Sequence, residues 1–282
     1  MLTHLSLFSG IGGLDLAAEA AGFVTVGQCE WADYPTKVLE KHWPDVPRWR
    51  DIRTLTGENF YERTGMRTVD VISGGFPCQP FSVAGKQKGR DDDRYLWPEM
   101  LRVIRELAPR WVVGENVPGI LRIAAGEVVE DLERECYDVA VFDFEDAAVG
   151  ARHRRERIAF VANAGHAKRK ERQDHEKSGD REARCKPSSC GGDVADANSA
   201  GLQGRNGEKL RECAGERIIG TRSSHTGGGI RTRGQWHVEP DVGRVADGIP
   251  DRVDRLKCLG NAVVPQQFYP IFKAIYDIEE AT

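Results

Sequence analysis

The chain lacks any apolar run long enough to cross a bilayer, and its amino terminus passes straight into a strand-like stretch without a secretory pattern. A cytoplasmic protein, with no membrane partner, is therefore expected. It also lacks paired cysteines. The seven present (Cys29, Cys78, Cys136, Cys185, Cys190, Cys213, Cys258) are scattered, which argues against a disulfide framework and fits a reducing compartment. Nor do Cys185, Cys190 and Cys213, with His166, His175, His225 and His237, offer the close ligand pairs of a zinc site, so no metal is expected. Aromatic residues are sparse at 8%, yet 40% hydrophobic and 30% charged residues over 282 positions allow the sizeable core of one large or two small domains. An overall positive charge is missing too, the net being −4. The distribution is uneven: Ala151 to Trp236 holds 19 Lys and Arg against 11 Asp and Glu, a local +8 that leaves the remainder at −12. Basic charge gathered into one region is the footprint of a segment that faces phosphates while the rest keeps the protein soluble.

What is present centres on Phe76-Pro77-Cys78-Gln79-Pro80-Phe81-Ser82, just past the apolar run Val69–Ser73. Prolines fix φ and restrict their neighbours, so this loop holds a set path at the carboxyl end of a buried strand, where open α/β sheets keep their ligands. A lone cysteine in such a turn is ordinarily a small packing residue. Here a second short strand, Trp111–Gly114, ends in Glu115-Asn116-Val117-Pro118, and a third apolar run, Ile158–Val161, follows Arg152-His153-Arg154-Arg155-Glu156-Arg157. A thiol, an acid and arginines whose donors suit a carbonyl oxygen are what nucleophilic addition to an electron-poor ring requires.

The amino-terminal end reads as strand, glycine turn and helix. His4–Phe8 is the strand, Gly10, Gly12 and Gly13 follow, and Leu14–Ala21 is rich in helix formers. Val24–Cys29 reads as the next strand and ends at Glu30, an acid placed to accept hydrogen bonds from ribose hydroxyls. The glycine turn is a weak signal alone; the acid at that distance strengthens it.

Taken together, these segments resemble the DNA cytosine-5 methyltransferase family. Leu7-Phe8-Ser9-Gly10-Ile11-Gly12-Gly13 is similar to its cofactor loop, Pro77-Cys78-Gln79 to its nucleophile loop and Glu115-Asn116-Val117 to its acid motif. His153-x-Arg155-x-Arg157 is similar to its arginine motif, with histidine where glutamine is usual, and Leu259-Gly260-Asn261-Ala262-Val263-Val264-Pro265-Gln266 to its closing motif. The five fall in the family's order. The resemblance implies S-adenosyl-L-methionine as cofactor, with no diphosphate to cradle, so the glycines would serve close approach to its methionine part. It implies that Phe8, Gly10, Ile11 and Gly13 line that site, that Glu30 holds the ribose, that Trp31, Asp51 and Ile52 flank or bond the adenine, and that Pro77, Leu96, Asn261 and Val263 complete the pocket. Cys78 would add to carbon 6 of cytosine, Glu115 would bond N3 and the exocyclic amine, and Arg157 with Arg155 would bind the carbonyl oxygen. Such geometry is impossible inside a stacked duplex, so the base must be flipped out. Gln79, Ser82 and Lys86, on the loop after Cys78, would contact DNA backbone or fill the vacated space.

The fold class expected is α/β, a doubly wound, mostly parallel sheet of the Rossmann-like kind with a small irregular recognition domain. Residues 1–162 would form the cofactor-binding catalytic domain and 163–237 a basic, loop-rich target-recognition insert whose Lys168, Arg169 and Lys170 would meet phosphates. Residues 238–282 would return to the catalytic domain through a helix over Gln266–Ile278, with Phe268, Ile271, Phe272, Ile275 and Tyr276 on one face. The implied protein is a monomeric, nucleoid-associated prokaryotic or phage DNA (cytosine-5-)-methyltransferase acting on duplex DNA, with a cognate restriction endonuclease in the same cell as a possible partner. Two rivals stay open: a cytosine-5 methyltransferase of tRNA, which shares the motifs, and a catalytically silent binding relative. The sizeable basic insert speaks against the first and intact Cys78, Glu115 and Arg157 against the second.

Overall fold

A computed structural model describes residues 1–77, 95–145, 149, 155–164 and 251–281. Its elements in chain order are β1 (Thr3–Leu7), α1 (Gly13–Ala21), β2 (Val24–Cys29), α2 (Asp33–His42), β3 (Arg48–Trp49), a 3-10 turn (Ile52–Thr54), α3 (Gly57–Thr64) and β4 (Val71–Gly74). There follow α4 (Trp97–Leu107), β5 (Trp111–Asn116), α5 (Ile120–Ile123), α6 (Ala125–Arg134), β6 (Asp138–Glu145), β7 (Glu156–Asn163), α7 (Arg252–Asn261) and α8 (Pro265–Glu280). The seven strands form one sheet in the order β3-β2-β1-β4-β5-β7-β6. All pairs from β3 to β5 are parallel; β7 runs antiparallel to both β5 and β6.

Both sheet faces are covered, and the strands show it residue by residue. Leu5 and Leu7 of β1, Ile72 of β4, Val112 of β5 and Phe160 of β7 join the core under α3, α4 and α6, whereas Val71, Val113 and Ala159, one position off, join the opposite core under α1 and α8. Period-two alternation with apolar residues on both sides is the signature of a sheet buried between two helical layers. In α4, Trp97, Met100, Leu101, Ile104 and Leu107 put an apolar stripe on the sheet, and the Trp97 indole N–H donates to Asp131 of α6 at 2.9 Å. In α1 the buried stripe is Leu14, Ala17, Ala18 and Ala21, small enough for α8 to lie close. The helix stops at Gly22 (φ 109), where a Cβ would stand 2.7 Å from the Tyr276 ring, so glycine serves both the left-handed turn and the close approach. Phe268, Phe272 and Ile275 of α8 fill the second core, and Glu279 accepts from the Trp111 indole N–H at 2.9 Å and pairs with Arg110. The scattered cysteines show one departure from expectation: Cys136, in a left-handed turn (φ 64) between α6 and β6, is disulfide-bonded.

Two titratable groups lie wholly inside this scaffold. His4 of β1 has Nε2 at 2.7 Å from Ser73 Oγ and packs edge-on against Phe272; burial lowers its pKa to about 3, so the ring is neutral. Asp15 of α1 accepts from Ser6 Oγ and from Gln28 Nε2, each at 2.8 Å, while the Gln28 carbonyl accepts from Arg48 Nε at 2.9 Å. Burial still raises Asp15 to about 6, outweighing the hydrogen bonds from Gln28 and Ser6. Their linkage to pH is opposite in sign. Between about 3 and 6.5 the folded protein binds less proton at His4 than the unfolded chain, so that contribution is lost as pH falls through the window. Between 3.8 and about 6 it binds more at Asp15, so the cost of burying a carboxylate is relieved as pH falls. Relative to wild type, Asp15→Asn should lose stability more steeply from pH 6 to 4, by about 1.4 kcal/mol per unit, and His4→Gln less steeply. Urea midpoints across that range check it; parallel curves for all three proteins would refute it.

Candidate active site

Five strand ends meet at one edge of the sheet. β1, β2, β4 and β5 finish there, and β7, running the other way, begins there, around a cavity of about 1170 Å³. It opens where strand order reverses between β1 and β4, the position at which open α/β sheets bind ligands.

One half of the cavity is the turn after β1. Phe8 (φ 53), Gly10 (φ 56) and Gly12 (φ 88) are all left-handed. A Cβ on Gly12 would stand 2.5 Å from the Trp43 ring and one on Gly13 2.6 Å from the Val263 carbonyl, so these glycines let the end of α2 and the segment before α8 press on the turn. At Gly10 no atom lies within 4 Å of the Cβ position, because the space in front of it is cavity. Glu30, at the tip of β2, accepts the Gly10 N–H through Oε2 and the Ala32 N–H through Oε1, both at 2.8 Å. The acid thereby fixes the glycine turn to the second strand. Trp31 beside it is 70% exposed, a flat apolar face turned to the opening. Asp51 accepts the Arg53 N–H at 3.0 Å and so caps the 3-10 turn that buries Ile52. Leu96 caps α4, and Asn261 and Val263 approach from the carboxyl-terminal side. Every residue expected at the cofactor, from Phe8 to Val263, lines this one cavity.

The other half is charged. Antiparallel register sets Glu115 opposite Ala159, so Arg157, two residues earlier in β7, reaches back along the strand edge. Its Nε lies 2.7 Å from Glu115 Oε1, with the two side chains only 8% and 12% exposed. Gly75, after β4, makes room: a Cβ there would stand 2.6 Å from Glu115 Oε2. Arg155 also lines the cavity, and its guanidinium donates to the Gly260 carbonyl at the end of α7. Gln267 of α8 donates to the Phe144 carbonyl at 3.1 Å and to that of Arg155 at 3.5 Å, completing a joint between β7 and the carboxyl-terminal helices. Among the described residues two free thiols, Cys29 and Cys258, line the cavity and both are held protonated. Burial, with Glu30 and Asp51 nearby, pushes Cys29 up to about 12, and burial with Asp254 and Glu30 raises Cys258. Cys78, Gln79, Ser82, Lys86, His153, Lys168, Arg169 and Lys170 lie outside the described residues, although Pro77, adjacent to Cys78, is on the cavity wall.

Sequence reasoning missed Gly75, the Arg155 tie to Gly260 and the α7 residues Asp254, Lys257 and Cys258 on the cavity wall. Gly75 carried a signal, a glycine directly before the Phe-Pro-Cys turn. The others depend on where α7 docks, which no local pattern discloses.

A Rossmann-like sheet whose switch point gathers a glycine turn, an acid at the tip of the second strand and a carboxylate–guanidinium pair around one cavity has the architecture of the methyltransferase class. Residues 2–228 match the family described as C-5 cytosine-specific DNA methylase, and the chain belongs to that family. Among curated relatives, the Type II methyltransferase M.AquIA of Picosynechococcus sp. is 35% identical over 175 residues, 56% of this chain and 71% of that protein. M.Eco47II of Escherichia coli is 36% identical over 167 residues, 57% of this chain but 39% of that one, so here the match spans well under half of the relative. A prophage-encoded E. coli protein solved as a candidate DNA modification methyltransferase superposes with a TM-score of 0.51 at 29% identity, covering 58% of this chain and 47% of its own. The fold is also that of Spodoptera frugiperda DNMT2, with a TM-score of 0.50 at 23% identity over 59% of this chain and 51% of that one.

The room that Gly75 leaves is testable without an assay of function. Gly75→Ala forces the Glu115 carboxylate off its seat and should cost about 1–3 kcal/mol, as overpacking does. Gly114→Ala, whose Cβ would meet Phe160 and Phe76 at an ordinary 3.4 Å, should cost less. Denaturant midpoints of the two variants decide; equal midpoints would mean that the carboxylate moves freely.

Proposed function

We propose that the protein methylates carbon 5 of a cytosine flipped out of duplex DNA, drawing the methyl group from S-adenosylmethionine. The observation that carries this reading is the Glu115–Arg157 pair, set in the same cavity as the glycine turn and as Pro77, the residue before Cys78. The residues present fit the cofactor. Gly10 opens onto empty space where a backbone can meet a methionine moiety, Glu30 keeps lone pairs beyond the two N–H groups it accepts, and Trp31 offers an exposed aromatic face to a purine. When bound, the cofactor supplies an electrophilic sulfonium methyl group.

The chain's own groups do the rest. The Cys78 thiolate adds to carbon 6, Glu115 shares a proton with N3 and bonds the exocyclic amine, and Arg157, assisted by Arg155, holds the carbonyl oxygen as charge develops on the ring. Carbon 5, made electron-rich by that addition, takes the methyl group; loss of its proton then expels the thiolate. With Cys29 and Cys258 both held as thiols, neither competes for the nucleophile's role. The basic stretch 163–237 is the reading's recognition element, and its excess of Lys and Arg supports duplex DNA over tRNA. That relatives are named Type II methyltransferases supports a partner restriction endonuclease.

Cys78→Ser should keep cofactor affinity and lose methyl transfer, since a hydroxyl is a far poorer nucleophile at neutral pH. Radiolabelled cofactor offered with mixed duplex DNA and with transcribed tRNA measures it, and appreciable turnover by the serine variant, or preference for tRNA, would overturn the assignment. Glu30→Ala should weaken S-adenosylmethionine by about 1.5–3 kcal/mol in calorimetry and leave DNA affinity unaltered, as the loss of charge-assisted hydrogen bonds implies. Unaltered cofactor binding would reduce Glu30 to a clasp for the glycine turn.

A further inference from the structure

The chain enters the nucleophile loop through the peptide joining Phe76 to Pro77. A peptide that precedes proline has no N–H, so its only polar handle is the carbonyl, here that of Phe76. That carbonyl accepts a hydrogen bond from Asn116 Nδ2 at 2.9 Å, in a buried setting, and Asn116 is itself 5% exposed at the end of β5. The other end of the same amide is also committed: Asn116 Oδ1 accepts the Val117 N–H at 2.9 Å. One acceptor and one donor are needed at once, which fixes the amide's orientation. The Phe76 ring is pinned as well, 5.0 Å from Trp97 and 6.3 Å from Phe160 by ring centroids. Cys78 follows Pro77 directly, two residues along the chain from this anchor.

We propose that Asn116 is a positioning residue for the Cys78 nucleophile: by holding the one polar handle of the Phe76–Pro77 peptide it sets the direction in which the loop leaves β4, and so where the thiol meets the base that Glu115 holds. Asn116 thereby couples the acid's strand to the thiol's loop. It touches neither base nor cofactor in this role. The inference rests on the proposed cytosine chemistry.

The test uses duplex DNA of random sequence with 5-fluorocytosine throughout. After the thiolate adds at carbon 6 and the methyl group arrives at carbon 5, fluorine leaves no proton to lose, so the enzyme stays covalently joined to the DNA in the presence of S-adenosylmethionine. Asn116→Ala should trap about a hundredfold more slowly than wild type at saturating cofactor, with cofactor affinity changed less than about twofold, a loss of the size that misplacement of a reacting group produces. Asn116→Asp supplies the control that packing alone cannot mimic. Ionised, its side chain sets oxygen against the Phe76 carbonyl; protonated, its hydroxyl can donate there while its carbonyl still accepts from Val117. Its trapping rate relative to wild type should therefore rise at least tenfold from pH 8 to pH 6, whereas the Asn116→Ala ratio should stay flat. Glu115 on the same strand and Arg157 on β7 are present in all three proteins, so their own ionisation divides out of the ratio, while their charges bear on the pH at which the introduced carboxyl ionises. Near-wild-type trapping by Asn116→Ala, or a flat ratio for Asn116→Asp, overturns the proposal; so does a loss matched by an equal loss of cofactor binding. Failure of the wild type itself to form the adduct instead overturns the cytosine chemistry on which the proposal rests.

Discussion

Antiparallel pairing of β7 with β5 is the constraint on which the site depends. Were β7 parallel like its neighbours, Arg155 and Arg157 would emerge at the far edge of the sheet, away from Glu115. Reversal sets Glu115 opposite Ala159 and Asn116 opposite Ile158, and brings a guanidinium to 2.7 Å from a carboxylate that is nearly buried. A buried ion pair of this kind is costly to desolvate and adds little to stability.

The site is assembled from backbone as much as from side chains. Gly10 leaves space for a ligand, Gly12 and Gly13 for Trp43 and Val263, and Gly75 for the carboxylate of Glu115. Glu30 accepts the Gly10 N–H of the glycine turn with one oxygen and the Ala32 N–H ahead of α2 with the other, and Asn116 commits both ends of its amide to main chain. Main-chain contacts thus brace the wall of the cavity.

Much of this was legible in the sequence where local pattern decides. β2 was read at its observed limits, and β1, β4, β5 and β7 within a few residues, because each is a short apolar run set off by glycine or charged residues at one end, as suits a strand buried on both faces. The carboxyl-terminal helix was legible from Phe268, Phe272 and Ile275 at helical spacing. By contrast β6 carries Asp138, Asp143 and Glu145 at the sheet's edge, where burial does not impose an apolar run, and β3 is two residues long. Helix α7 was hidden in another way: its Val253, Leu256 and Leu259 are exposed, so its apolar residues do not mark a core face. The residues lining the cofactor half were named through motif resemblance. The Glu115–Arg157 contact, the space at Gly75 and the Asn116 anchor are products of strand register, which no single segment encodes.

The packing of α8 on α1 also has a bearing on biosynthesis. One face of the sheet, with Val71, Val113 and Ala159, is covered by α1 and closed by residues 265–280, which leave the ribosome after the whole stretch from 164 to 251. Throughout that interval α1 covers the face without the aromatic residues of α8, which leaves apolar surface open in a window where aggregation or chaperone capture competes with folding. Once α8 arrives, the entropic cost of closing so long a loop grows only with the logarithm of its length. The intervening stretch can therefore lengthen or shorten over evolutionary time with little thermodynamic penalty to the scaffold that carries it.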